Sequence, residues 1–247
     1  MNTTETLQQL QTLKLHGMAA AYKTQMELPL HQQLESHELL AQLVQSEIHN
    51  RSNERTSNYL KLAKFRISST TEQIECSSTR NLTKQQLSTL LDGGYIQRGE
   101  PVLITGATGC GKSFLACALG HQACTQGHRT LYFNMNRLSE RVMLAKLDGT
   151  YLKLLNQLER VSLIILDDFG LAPMDHQMKL TILQLLEDRY AKRSVIITSQ
   201  LPVSTWYDYI NEPTIADAIL DRLTAKAHRI ELKGESLRRR KQQTKTE

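Results

Sequence analysis

The residues best suited to chemistry are Gly106-Ala107-Thr108-Gly109-Cys110-Gly111-Lys112-Ser113, which follow the spacing G-x-x-x-x-G-K-[ST]. The apolar run Pro101 to Thr105 precedes them and the apolar stretch Phe114 to Cys124 follows. That order predicts a strand, a phosphate-binding loop and a helix. Glycines let such a loop curl so that several backbone N–H groups face one anion, and the helix N-terminus adds partial positive charge. Lys112 is placed to reach the outer phosphates of a nucleoside triphosphate, and the Ser113 hydroxyl to hold Mg2+.

A second stretch, Leu163 to Leu166, is four apolar residues closed by Asp167 and Asp168. A buried strand that delivers a carboxylate at its tip suits a hydrated Mg2+, which assigns Asp167 to the metal. Asp168, one residue on, could polarise the water that attacks the γ-phosphate. Two solvated acids capping a strand would look the same, but the phosphate loop in the same chain favours the catalytic reading. The third stretch is Ser194 to Gln200, apolar except at its ends, so that Thr198, Ser199 and Gln200 fall beside the two acids. A Gln or Thr there can orient the attacking water or sense the γ-phosphate. Two arginines complete the set, Arg222 and Arg238. A guanidinium on a transferring phosphate raises the rate by orders of magnitude. Arg222 would serve a neighbouring subunit and Arg238 its own site; a surface salt bridge is the alternative for each.

These residues need a scaffold. From about residue 82 the chain alternates strands with helices: Pro101 to Gly106, Arg129 to Asn134, Val161 to Asp168, Ser194 to Gln200 and His228 to Leu232 read as strands. Helices are expected from Lys112, over Leu138 to Leu147, Leu152 to Leu158, His176 to Ala191 and Thr214 to Thr224. Buried strands separated by helices predict an α/β fold with a parallel sheet and a ligand at the strands' carboxyl ends. Residues 1–66 instead read as helices alone, with stripes at Leu7, Leu10, Leu13 and Met18, then at Leu39, Leu40, Leu43, Val44 and Ile48. A third helix carries Arg51 and Arg55, followed by Tyr59, Lys61, Lys64, Phe65 and Arg66. Basic residues alternating with aromatics suit nucleic acid, and an amphipathic module docking on a partner explains them as well. The Ser/Thr-rich residues 67–81 read as a linker.

The formal net charge is +5. Residues 1–75 hold 7 Lys and Arg against 8 Asp and Glu, residues 76–221 hold 14 against 14, and residues 222–247 hold 9 against 3. The surplus therefore sits around Arg238-Arg239-Arg240-Lys241, which suggests attraction to a polyanion or a solvated tail. Cys76, Cys110, Cys117 and Cys124 form no C-x-x-C pair, and Cys117 and Cys124 read as small buried apolar residues. No run approaches the roughly 20 apolar residues of a membrane span, and the start lacks a signal-peptide pattern. A cytoplasmic protein is expected.

With these residues in place, the chain resembles the AAA+ ATPases, and within them the branch of DnaC helicase loaders and IstB-type insertion-sequence helpers. The IstB likeness is the closer. It rests on GATGCGKSFLACALGHQAC, LIILDDFG, VIITSQLPVSTWYDYI, AILDRLTAKAHRIELKGESLRR and the N-terminal LKLHGMAAAY. The resemblance implies a three-layer P-loop NTPase domain over 82–247, a helical N-terminal domain over 1–66 joined by the linker 67–81, and no C-terminal lid domain. It implies ATP and Mg2+ as cofactors, double-stranded DNA and a transposase encoded alongside as partners, and a homo-oligomer. Its roles assign Gly106 to Ser113 to the phosphate loop, Asp167 and Asp168 to metal and water, Gln200 to the sensor strand, Arg222 to the arginine finger and Arg238 to the second sensor. Most AAA+ members carry Asp-Glu where this chain has Asp167-Asp168; the shorter side chain predicts slow turnover. The competing readings are a replicative helicase loader, a small-molecule P-loop kinase and a non-hydrolysing DNA-binding module.

Overall fold

The structure, a computed structural model, describes residues 3–237, and these divide into two compact units, up to Asn58 and from Tyr59 onward. The first is helical: α1 (Thr3–Thr12), α2 (His16–Glu27) and α3 (Ser36–Ala63). The two helices expected after the Leu28-Pro29 break are one continuous helix, α3. No Gly or Pro interrupts it, so the change at Ile48 from apolar to basic side chains leaves the helix continuous.

The first unit buries little apolar surface and is joined by a polar device. α2 begins at His16-Gly17, and a Cβ on Gly17 would lie 2.4 Å from the Ser46 carbonyl oxygen and 2.7 Å from Glu47 Cα. Only glycine admits α3 this close. The approach lets Glu47 Oε2 accept from Gly17 N at 2.8 Å and Met18 N at 3.2 Å, a carboxylate on a helix N-terminus. Arg51 Nε holds the other oxygen at 2.7 Å. The Arg51 hydrogen bond and the two backbone N–H groups together keep the Glu47 carboxyl below the usual carboxylate range, against the opposing effect of burial.

The second unit opens with α4 (Lys84–Leu91) and the single turn α5 (Gly94–Gln97), then alternates: β1 (Val102–Gly106), α6 (Lys112–Thr125), β2 (Thr130–Asn134), α7 (Met135–Leu147), α8 (Tyr151–Arg160) and β3 (Leu163–Phe169). After these come α9 (His176–Arg189), β4 (Ser194–Ser199), α10 (Trp206–Ile210), α11 (Pro213–Thr224) and β5 (His228–Leu232). All five expected strands form one parallel sheet in the order β2-β3-β4-β1-β5. Alternate residues of each strand face opposite layers. Val102, Ile104, Leu163, Ile165 and Ile196 pack with α4 to α6, whereas Leu103, Ile164, Leu166, Val195 and Ile197 pack with α7 to α11. This is the three-layer arrangement expected of a parallel sheet buried on both faces. Cys110, Cys117 and Cys124 are all buried, and burial pushes the Cys117 thiol up to about 11, so it behaves as a small apolar residue.

The Ser/Thr-rich stretch 67–81 is not a free tether. Ile67, Ile74 and Cys76 pack against the layer of α6, and the Ser69 hydroxyl donates to the Phe114 carbonyl at 3.2 Å. Its anchors are single apolar residues spaced among polar ones, a pattern that composition alone reads as linker. Phe65 joins them: a Cβ on Gly120 of α6 would lie 2.6 Å from the Phe65 ring. Among the described residues no helix is long and apolar enough to cross a membrane.

Candidate nucleotide site

The loop between β1 and α6 owes its path to two of its glycines. Gly106 has φ of 144°, and a Cβ there would lie 2.2 Å from the Leu232 carbonyl oxygen of β5. Gly111 has φ of 95° and caps α6 without any side chain, so no cap residue competes for the helix's first N–H groups. That terminus is suited to an anion. Lys112 is buried beneath the loop, its ammonium donating to the Gly106 carbonyl at 2.8 Å and the Ala107 carbonyl at 2.9 Å. Arg80 steadies the loop from the segment read as a linker, donating to the Cys110 carbonyl at 2.9 Å.

The Ser113 hydroxyl donates to Asp167 Oδ1 at 2.8 Å, joining the first turn of α6 to the tip of β3 across 54 residues of sequence. Asp167 is fully buried and accepts hydrogen bonds from three hydroxyls: Ser113 and Thr198 on Oδ1, and Tyr132 on Oδ2 at 2.5 Å. Burial and the hydrogen bond to Asp167 raise the Tyr132 hydroxyl far above its ordinary range, so it stays a donor. A hydroxyl and a carboxylate side by side at a strand tip are the hard oxygen donors that Mg2+ takes, and they fit that ion.

Asp168 reaches the same place through an irregularity in the sheet. Leu166 pairs with Ile197 and Phe169 with Ser199, so Asp167 and Asp168 together face the single residue Thr198. This bulge sets Asp168 at φ of 63°, a conformation that Asp adopts more readily than most residues. Its backbone N–H donates to Thr198 Oγ at 3.1 Å. Its Oδ2 accepts from Asn134 Nδ2 at 2.8 Å and Arg66 Nη1 at 3.1 Å. The two acids are close enough that Arg66 also lies 3.8 Å from Asp167 Oδ2. Gln200, just past β4, accepts from the Thr108 hydroxyl at 2.7 Å and ties that tip to the phosphate loop.

Gly106 to Ser113, Asp167, Asp168 and Gln200 are thus gathered at the carboxyl ends of neighbouring strands. Arg222 is elsewhere. It lies in the last turn of α11, which leads into the amino end of β5, and so sits at the far end of the sheet from its own loop. There it donates to Glu187 at 2.8 Å and to the Ala218 carbonyl at 2.7 Å. Arg238 lies outside the described residues, as do Arg239, Arg240 and Lys241. The described chain nevertheless returns to the loop just before them, where Leu237 N donates to the Gly109 carbonyl at 3.1 Å.

Sequence reasoning missed Tyr132, Asn134 and Arg80. Asn134 had a signal, since it ends the strand beside the acidic one and pairs in register with Asp167. Arg80, within a polar stretch, had none. Within the basic and aromatic run at 51–66, Arg51 binds Glu47, Phe65 packs on α6, and Arg66 meets the acids.

This geometry has relatives. The profile of the family described as "IstB-like ATP binding protein" matches residues 8–245. The chain belongs to that family. It is 44% identical over 234 residues to the insertion sequence ATP-binding protein y4pL of Sinorhizobium fredii, covering 95% of this chain and 96% of that one. Among solved structures it resembles the DnaC helicase loader, with a TM-score of 0.56, 17% identity, and coverage of 71% of this chain and 99% of that one. It also resembles the replication initiator DnaA bound to AMPPCP and single-stranded DNA, with a TM-score of 0.60, 19% identity, and 74% and 56% of the two chains. At those identities the likeness is one of fold, the P-loop NTPase fold of the AAA+ class.

Proposed function

We propose that this family member is an ATP-hydrolysing helper of DNA transposition that assembles on duplex DNA and recruits or stimulates a transposase encoded alongside it. The observation that carries the nucleotide part is the 2.8 Å bond from Ser113 to Asp167, which unites the phosphate loop with the strand-tip acid in one oxygen-rich corner. ATP would lie with its phosphates in the cradle of Gly106, Ala107, Thr108, Gly109, Cys110 and Gly111, with Lys112 leaving the loop carbonyls for the outer phosphates. Mg2+, held by Ser113 and Asp167, would offset charge on those phosphates. Asp168 receives the proton of the attacking water or orients it, and Gln200 links that acid's neighbourhood to the loop.

Arg222 suits a role in trans. It sits at the opposite end of the sheet from its own loop, and a second copy stacked on that end would receive its guanidinium at the phosphates. The insertion-sequence name of the relative favours transposition over helicase loading as the setting, and DNA as the assembly's track follows from it.

Mixing tests the shared site. Arg222→Ala keeps its own Asp168, and Asp168→Asn keeps its own Arg222, so each should be inactive alone. Mixed in equal amounts with ATP and duplex DNA, they should recover a measurable fraction of the rate. Two inactive proteins that stay inactive together would remove the case for a site completed by a second copy.

A further inference from the structure

Among the described residues, the cation paired with the water-activating acid is not one that the function above uses. Arg66 Nη1 lies 3.1 Å from Asp168 Oδ2, and that same oxygen already accepts from Asn134 at 2.8 Å. Three features fix the arginine there. Lys64, at φ of 54°, ends α3 and turns the chain. Phe65 then anchors the turn against Gly120 and Ile165 of the α6 layer. Arg66, next in the chain, extends over the tips of β2 and β3 with its side chain about half exposed. The contact spans 102 residues of sequence, and nothing in nucleotide binding requires it.

With Asn134 and Arg66 both donating to Oδ2, the two lone-pair directions of that oxygen are occupied and a water has no direct approach to it. The ion pair fixes the direction of the carboxylate. For an acid whose task is to take or steer a proton from water, that contact works against the reaction. We infer that Arg66 is a positioning residue that restrains Asp168, so that hydrolysis runs at its full rate only when the guanidinium leaves. The control point is the junction at the end of α3, the helix that begins in the N-terminal unit. A shift of the Lys64-Phe65 turn would withdraw Arg66 without moving a residue of the phosphate loop.

The inference rests on the reading of Asp168 as the residue that activates water, and the two can be told apart. Steady-state hydrolysis of Mg·ATP is measured for the full chain and for Arg66→Gln, Arg66→Met, Arg66→Lys, Asp168→Asn and the double variant Arg66→Gln/Asp168→Asn. Loss of the cation should raise kcat about fivefold, the scale of a half-exposed ion pair, with KM for ATP unchanged. The Gln and Met variants should agree, which guards against a folding defect in either. Arg66→Lys should hold the wild-type rate, and the double variant should be as slow as Asp168→Asn. An Arg66→Gln kcat at or below wild type, with Asp168→Asn still slow, overturns the restraint and leaves the water-activating role standing. An Asp168→Asn protein that hydrolyses ATP normally overturns both.

Discussion

The two units are held together by different forces. From Tyr59 onward, apolar side chains fill both faces of a five-stranded sheet, and Trp206, Phe169 and Leu138 are wholly buried. Up to Asn58, the side chains that settle inside are few, and one of them is the Glu47 carboxylate. Leu30, Leu40, Val44 and Ile48 meanwhile stay exposed. The chemistry follows the division. A triphosphate site needs donors fixed to within fractions of an ångström, and only a packed core can hold Asp167 against three hydroxyls. A helical unit joined through one carboxylate can change its packing at little cost.

Breaking the packed unit at its chemistry should have the largest effect. Arg222→Ala should lower DNA-supported hydrolysis by roughly a thousandfold while leaving equilibrium ATP binding intact, if the guanidinium acts on a partner copy's transferring phosphate as proposed. Fluorescent-nucleotide titration beside a turnover assay checks both halves. Asp167→Ala should cost about a hundredfold or more in kcat and remove the dependence on Mg2+ concentration. A metal titration that still saturates in this variant would place the ion elsewhere.

Core truncation comes next. Trp206→Ala removes a ring that stacks 4.8 Å from Phe169 and donates to the Leu201 carbonyl at 3.1 Å. About 3–5 kcal/mol of stability should be lost, and thermal melting should show it. In the N-terminal unit, Gly17→Val places atoms against the Ser46 carbonyl and should loosen α2 from α3 at a cost of roughly 1–3 kcal/mol. ATP affinity should not change, and a matching loss of affinity would erase the distinction between the units.

The smallest effect is electrostatic. Glu47 has its pKa lowered in the folded chain from 4.5, so it contributes stability that is fully present above that value. This stability is lost as pH falls through the lowered folded value. Glu47→Gln should flatten the acid side of the stability profile of the N-terminal unit alone, as followed by helical circular dichroism.

What the sequence made legible follows the same division. Apolar runs bounded by polar tips marked β1 to β4, because strands buried on both faces leave no other composition for them; β5 alternates, with Arg229 and Glu231 exposed. The loop and Asp167 were readable because their chemistry requires fixed spacing within a few residues. Arg66, Arg80 and Tyr132 were not, because each reaches the site from a different strand or segment, 30 to 102 residues from the group it holds. The Glu47 contact with Gly17 N spans 30 residues and needs a helix-to-helix approach that periodicity does not encode. Polar stretches were read by composition, so 67–81 passed for a tether although three single apolar residues pin it down.

The most direct test of the central claim is the rate of ATP hydrolysis by the full chain as duplex DNA is added. A site completed by a second copy on DNA predicts slow turnover alone and a rate that climbs with DNA and with protein concentration. A rate indifferent to DNA, with the γ-phosphate passed to a small metabolite, would contradict it.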